Sequence, residues 1–196
     1  MSKRVEFFFD VGSPASYLAW TQLPALCAQA GAELVHRPML LGGVFQATGN
    51  ASPASVPVKG RYTKLDLGRF ARRYGVPLVI NPHFPIITLM LMRGATGVQM
   101  RMPERFQDYL RGVFKALWIA AMNLNEPALT ERALRDAGFD PAEIMALAGD
   151  PEVKARLRAT TDEAVARGAF GAPTMFVGDE MFFGQDRLDF VREALA

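Results

Sequence analysis

The apolar pattern of the chain starts as an unbroken run and turns helical soon after. Val5 to Phe9 is continuously apolar but for one residue, which predicts a strand covered on both faces. Asp10-Val11-Gly12 then turns, and Ser13-Pro14 supplies a helix start, with serine at the N-cap and proline at the first helical position. Ala15, Leu18, Ala19, Leu23, Leu26, Cys27 and Ala30 recur at helical spacing, and Gly31 is a fitting stop. Glu33 to Pro38 predicts a second short strand. Strand, helix and strand in so short a stretch make a βαβ unit, whose crossover is expected to be right-handed.

From about Phe45 to Gly149 the strand signal fades. Lys59 to Tyr74 is helical, with Tyr62, Leu65, Phe70 and Tyr74 as its apolar positions. Gly75 to Pro85 is rich in proline and predicts a structured loop. Helices are expected over Ile86 to Ala95 and Pro103 to Met122, the second carrying Phe106, Leu110, Val113, Phe114, Leu117 and Trp118 on one side. Shorter helices follow over Pro127 to Ala137 and Pro141 to Leu147. Asp140-Pro141 and Asp150-Pro151-Glu152 repeat the cap-plus-proline signature. Mixed structure then returns. A helix over Asp150 to Arg167 leads to Ala172-Pro173, the strand Thr174 to Val177, a hairpin turn at Gly178-Asp179-Glu180, and the strand Met181 to Phe183. Asp186 can cap a last helix through Leu188, Val191 and Leu195.

The ends together give β-α-β, a helical block, then α-β-β-α. That is an α/β chain with the thioredoxin-like order split by a large all-helical insertion. Residues 1–44 plus 150–196 are expected to form the thioredoxin-like domain, and 45–149 the insertion. The length of 196 residues suits one domain so enlarged.

Composition removes several functions. The net charge is only +2, and no basic stripe is interleaved with stacking aromatics, so nucleic acid is not an expected partner. Arg69, Arg72 and Arg73 read as a solvated helix face. No apolar run reaches the ~18 residues of a membrane span, and Met1 to Glu6 lack the pattern of a signal peptide. A single cysteine, Cys27, sits at a core position of the first helix. It excludes an internal disulfide and any Cys-x-x-Cys centre, and with the other features it points to the cytoplasm.

Three places carry candidate chemistry. Ser13 stands at a helix start, where backbone N–H groups and the dipole favour an anion such as a thiolate. Because the residue is a serine, the sulfur would have to come from outside; a plain N-cap explains Ser13 equally well. Ala172-Pro173 precedes a strand, a place where this arrangement usually has a cis proline that turns the backbone of residue 172 toward an extended peptide. An ordinary trans proline at a strand start is the alternative. Phe183-Gly184-Gln185-Asp186 lies at a strand-to-helix junction that suits a zwitterionic amino-acid head, unless Asp186 is only a cap. His36 reads as structural, and His83, in a proline-rich loop, lacks a visible catalytic partner.

Jointly these segments are more specific. Phe9-Asp10-Val11-Gly12-Ser13-Pro14-Ala15-Ser16-Tyr17, Thr48-Gly49-Asn50 with Val56-Pro57-Val58-Lys59-Gly60, Phe170-Gly171-Ala172-Pro173-Thr174 and Phe183-Gly184-Gln185-Asp186-Arg187 resemble 2-hydroxychromene-2-carboxylate isomerases. Those belong with kappa-class glutathione transferases in the DsbA-like branch of the thioredoxin fold. The resemblance implies glutathione as cofactor, a small aromatic carboxylate as substrate, cis–trans isomerisation through a transient glutathione adduct, and a homodimer. It implies that Ser13 holds the glutathione thiolate and that Asn50 and Lys59 reach glutathione from the insertion, the lysine pairing with its glycyl carboxylate. Ala172, before Pro173, would pair with the cysteinyl part. Gln185 and Asp186, after Phe183 and Gly184, would hold the γ-glutamyl head. Phe45 and Phe84 fall near positions that line the aromatic substrate pocket. A kappa-like transferase or peroxidase would use the same site. A non-catalytic thioredoxin-fold module that binds peptides at the Pro173 edge is the alternative from another class, and the joint presence of Asn50, Lys59, Gln185 and Asp186 argues against it.

Overall fold

A computed structural model describes residues 3–196. Strands β1 (Arg4–Phe9), β2 (Glu33–Pro38), β3 (Thr174–Val177) and β4 (Glu180–Phe183) form one four-stranded sheet in the order β2-β1-β3-β4. β1 and β2 are parallel, joined by α1 (Pro14–Ala30), and β3 and β4 add antiparallel. The helices that follow β2 are α2 (Leu41–Thr48), α3 (Pro57–Tyr74), α4 (Leu89–Arg101), α5 (Phe106–Trp118), α6 (Pro127–Asp136), α7 (Pro141–Gly149) and α8 (Pro151–Ala166), and α9 (Leu188–Ala194) closes the chain. This is the expected split thioredoxin order. Because Phe8 stands opposite Thr174, the turn after β1 and the segment before β3 meet at the same end of the sheet.

The alternation of a strand explains why β1 is apolar on both sides. Val5, Phe7 and Phe9 enter a core shared with Leu18, Phe114 and Trp118. Phe8 points the other way, into a smaller cluster with Val44, Ala164 and Phe176. Glu6 shares that second face and is the exception to the apolar run. It is buried, and Arg37 and Arg167 meet its carboxylate at 3.1 and 2.8 Å while stacking over the Phe8 ring. A buried carboxylate is tolerated when it is paired in this way. The larger core continues from Phe7 and Phe9 through Tyr109 and Trp118 to Leu134 and Ile144, so the helical block packs onto the sheet's own core.

Four of the expected caps form. Ser13, Asp140 and Asp150 each accept a backbone N–H at the starts of α1, α7 and α8, and Gly31 ends α1 in the left-handed region at φ 62°. Other features differ from expectation. α2 was not anticipated, because Gly42 and Gly43 mask its helical pattern and Leu40 offers no side-chain cap; the expected boundary at 44/45 falls inside it. α4 begins later and runs beyond Ala95. Gly94 and Gly97 are packing sites within it, since a Cβ on Gly94 would lie 2.3 Å from the Tyr109 hydroxyl and one on Gly97 2.8 Å from Leu147. α5 starts after a 3₁₀ turn at Pro103–Arg105 and stops at Trp118. On α3 it is Leu67 and Ala71 that are buried, while Tyr62 and Leu65 are exposed. Asp186 does not cap α9: Arg187 occupies the N-cap position, and the Asp186 carboxylate instead meets the Arg187 guanidinium at 2.6 Å.

Candidate active site

The register of the sheet sets Ser13 against Ala172. The Ser13 N–H donates to the Asp10 carbonyl at 3.0 Å, which fixes the turn. Its Oγ accepts the Ser16 N–H at 3.1 Å and donates to the Ala172 carbonyl at 2.9 Å. Ala172–Pro173 is cis, as the sequence led us to expect. No acidic residue occupies the first turn of α1, so the positive end of this helix is left for a ligand.

Sequence reasoning missed the groups that hold this turn. Asp10 is buried at 1% exposure; its Oδ1 accepts the Gly12 N–H at 2.9 Å, and its Oδ2 accepts the Leu41 N–H at 2.8 Å and the Thr88 hydroxyl at 3.0 Å. One carboxylate thus ties the β1 turn to the starts of α2 and α4. Burial raises its pKa, against the opposing pull of those three hydrogen bonds. Gly12 is required by close approach, because a Cβ there would lie 2.6 Å from Thr88 Cγ2. Trp118 reaches in from α5 and donates to the Val11 carbonyl at 2.8 Å. Ser16 is fully buried, and its Oγ finds no hydrogen-bond partner among the described residues. Ser13 and Ser16 have the spacing of a Cys-x-x-Cys pair, a signal that was present in the sequence.

The remaining expected residues lie around this centre. Gly184 at φ 97° bends the chain so that its N–H donates to the Pro173 carbonyl at 3.0 Å. Gln185 is buried, and its carbonyl accepts the Tyr74 hydroxyl of α3 at 2.7 Å. Beside Asp186 a cavity of about 300 Å³ lies between α1, α3 and α9, with charges of both signs from Arg73, Asp189 and Arg192. Phe183 packs against Phe170 with the rings tilted by 46° and their centroids 4.5 Å apart, over the bare Cα of Gly171. The Asn50 side chain donates to the Phe170 carbonyl at 2.8 Å, which anchors the end of α2 to the segment before Pro173. Lys59 lies exposed in the first turn of α3, where no acidic side chain offsets it. Phe45 is half-buried on α2, and Phe84 is 37% exposed ahead of a second cis proline, Pro85. No described contact joins Lys59, Phe45 or Phe84 to Ser13.

The histidines divide as the sequence suggested. His36 packs edge-on against Phe7, Phe9 and Phe106, and burial lowers its pKa to about 4, so it stays neutral at physiological pH. His83 is exposed, and only its backbone is held, by Asn81 Oδ1.

Burial pushes the Cys27 thiol up to about 11, leaving it inert near neutrality. This makes a clean test of the helix start. Ser13→Cys should gain one thiol that iodoacetamide alkylates rapidly at pH 7, with an inflection well below the ~8.5 of a free cysteine. The unsubstituted chain should show no fast thiol. An inflection near ~8.5 in the variant would mean that the start of α1 does not stabilise an anion.

The chain belongs to the DSBA-like thioredoxin-domain family, whose model matches residues 4–196. A protein named 2-hydroxychromene-2-carboxylate isomerase from Sphingobium xenophagum is 30% identical over 197 residues, covering 100% of this chain and 99% of that one. The Pseudomonas putida protein of the same name is 33% identical, covering 97% and 93%. Kappa 1 glutathione S-transferase of Rattus norvegicus is 31% identical, covering 94% and 87%. A solved 2-hydroxychromene-2-carboxylate isomerase superposes with a TM-score of 0.82 at 31% identity, over 98% of this chain and 94% of that one.

Proposed function

We propose that this enzyme is a glutathione-dependent isomerase of a conjugated aromatic carboxylate of the 2-hydroxychromene-2-carboxylate type, which it interconverts with the trans-o-hydroxybenzylidenepyruvate form. The observation that carries the reading is a hydroxyl, Ser13, at the start of a long helix whose first turn holds no acidic residue, with the backbone of Ala172 beside it and the buried Cys27 as the one cysteine among the described residues. The relatives' names support both the isomerisation and the use of glutathione.

The residues fit a tripeptide with a thiolate, two carboxylates and an ammonium. Ser13 and the start of α1 would hold the thiolate, and Lys59 the glycyl carboxylate. The N–H groups after Gly184 would take the γ-glutamyl carboxylate, and Asp186 its ammonium. Bound glutathione supplies a nucleophilic sulfur that can open a conjugated double bond to rotation and then leave. Ser13 has one proton to give, and in this structure the Ala172 carbonyl accepts it. With glutathione bound, the Ser13 hydroxyl would donate to the sulfur instead, and the Ala172 carbonyl would be free to accept an N–H from the tripeptide. The helix start contributes about 0.3–2 kcal/mol and a hydrogen bond to a charged acceptor about 1.5–3 kcal/mol. Together they would hold a bound thiol below its ordinary value of ~8.5 and so favour the thiolate. The cytoplasm, where thiols stay reduced, is the setting that matches this chemistry.

Absorbance-monitored conversion of 2-hydroxychromene-2-carboxylate, with and without glutathione, tests the reading. Fast conversion is expected only with glutathione, and glutathione should be recovered unchanged. Recovery of a stable conjugate would move the function to the kappa-like transferases. Conversion at equal rates without glutathione would overturn the role given to Ser13.

A further inference from the structure

We propose a second ligand site that is independent of the Ser13 centre: the groove between α2, α4 and α8 binds an amphipathic carboxylate, with its apolar body on the groove floor and its carboxylate on Arg93 and Lys154. The groove has a volume of about 890 Å³. That is within the ~300–1,000 Å³ of sites that take small organic ligands. Its floor is apolar, built by Leu40, Leu89, Leu157 and Val165.

The charges around that floor point to the occupant. Arg93 is half-buried on α4 and makes no ion pair or hydrogen bond among the described residues. Among the half-buried arginines that isolation sets Arg93 apart: Arg37 and Arg167 meet the Glu6 carboxylate, and Arg105 donates to the Gly138 carbonyl. A guanidinium drawn partly out of water needs an acceptor, and its planar fork matches a carboxylate. Arg158 on the same rim is met by Asp162 at 3.8 Å, whereas the Lys154 ammonium has no such partner among the described residues. The rim therefore carries two unbalanced positive charges above an apolar floor, complementary to one carboxylate on an apolar body.

None of the candidate catalytic or glutathione-binding residues lines this groove. An aryl and an alkyl carboxylate share the required chemistry, and the test separates them. Calorimetric titration of the full chain with 2-naphthoate and with decanoate should show one equivalent bound by at least one of them, and the tighter of the two identifies the class. Methyl 2-naphthoate, which lacks the charge, should bind at least tenfold more weakly than 2-naphthoate. Arg93→Gln should weaken the acid at least tenfold. Ala47→Phe, at an exposed position on the groove wall, should abolish binding by filling it. Both variants should keep the glutathione-dependent turnover of the unsubstituted chain, and Ser13→Ala should keep acid binding. The proposal is overturned if neither acid binds, if the ester binds as tightly, if both variants bind normally, or if binding is lost with Ser13→Ala, which would assign it to the catalytic centre. It is overturned equally by light scattering that shows a dimer which Ala47→Phe dissociates, since a second copy would then occupy the groove.

Discussion

Ser13→Ala should lower glutathione-dependent turnover by about 10²–10³-fold, the usual cost of removing one donor aimed at a developing or bound anion. It should also cost some stability, because in this structure Ser13 does two structural jobs. Its Oγ caps α1 by accepting the Ser16 N–H, and it donates to the Ala172 carbonyl across the site. Loss of a cap costs about 0.5–2 kcal/mol, and loss of a neutral hydrogen bond about 0.5–1.5 kcal/mol. For a chain of this length each kcal/mol lowers the melting temperature by about 2–4 °C. The expected fall is therefore several degrees, with a fully folded protein at assay temperature. Steady-state kinetics beside thermal melts will separate the two contributions. If activity falls only as far as the folded fraction does, Ser13 is a cap and the thiolate site is elsewhere.

The frame of the molecule was legible because its signals are local. An apolar strand, a serine–proline helix start and two aspartate–proline caps each depend on a few neighbouring residues, and β2 and β3 were placed to the residue. Features that depend on distant partners were not legible. Gly43 and Gly97 look like breakers until the side chains that press on them, Thr161 and Leu147, are known. Tyr62 and Leu65 look like core until the helix is seen to bury Leu67 and Ala71. The site shows the same division. Ser13 and Pro173 announce themselves by position next to a helix and a strand. Asp10 and Trp118 act through Thr88, Leu41 and Val11, and those pairings exist only once the helical block has docked on the sheet. Ser16 was visible by spacing alone, but its missing partner is a property of the packed core.

Asp10 gives the second large effect, and here stability and function should part. Asp10→Ala leaves the Gly12 and Leu41 N–H groups and the Thr88 hydroxyl without their acceptor. An orphaned buried donor costs about 1–3 kcal/mol, so even after relief of the desolvated charge a net loss of about 2–4 kcal/mol is expected. Turnover should fall further than stability, because the same turn aims Ser13. The ionised carboxylate is nevertheless held at a cost. Burial raises its pKa above 3.8, so the folded chain holds that proton more tightly than the unfolded chain does. Its contribution to stability is then fully present below the ordinary value and is lost as pH rises through the folded-state pKa. Asp10→Asn removes this titration while keeping one side-chain oxygen. Melting temperatures of the two proteins, compared from pH 4 to 8, should show the lead of the unsubstituted chain over Asp10→Asn shrinking as pH rises. A lead that grows with pH would mean that the three donors outweigh burial. Asp10 would then be ordinary structural cement, whereas a shrinking lead marks a charge kept at the expense of stability to hold the Ser13 turn.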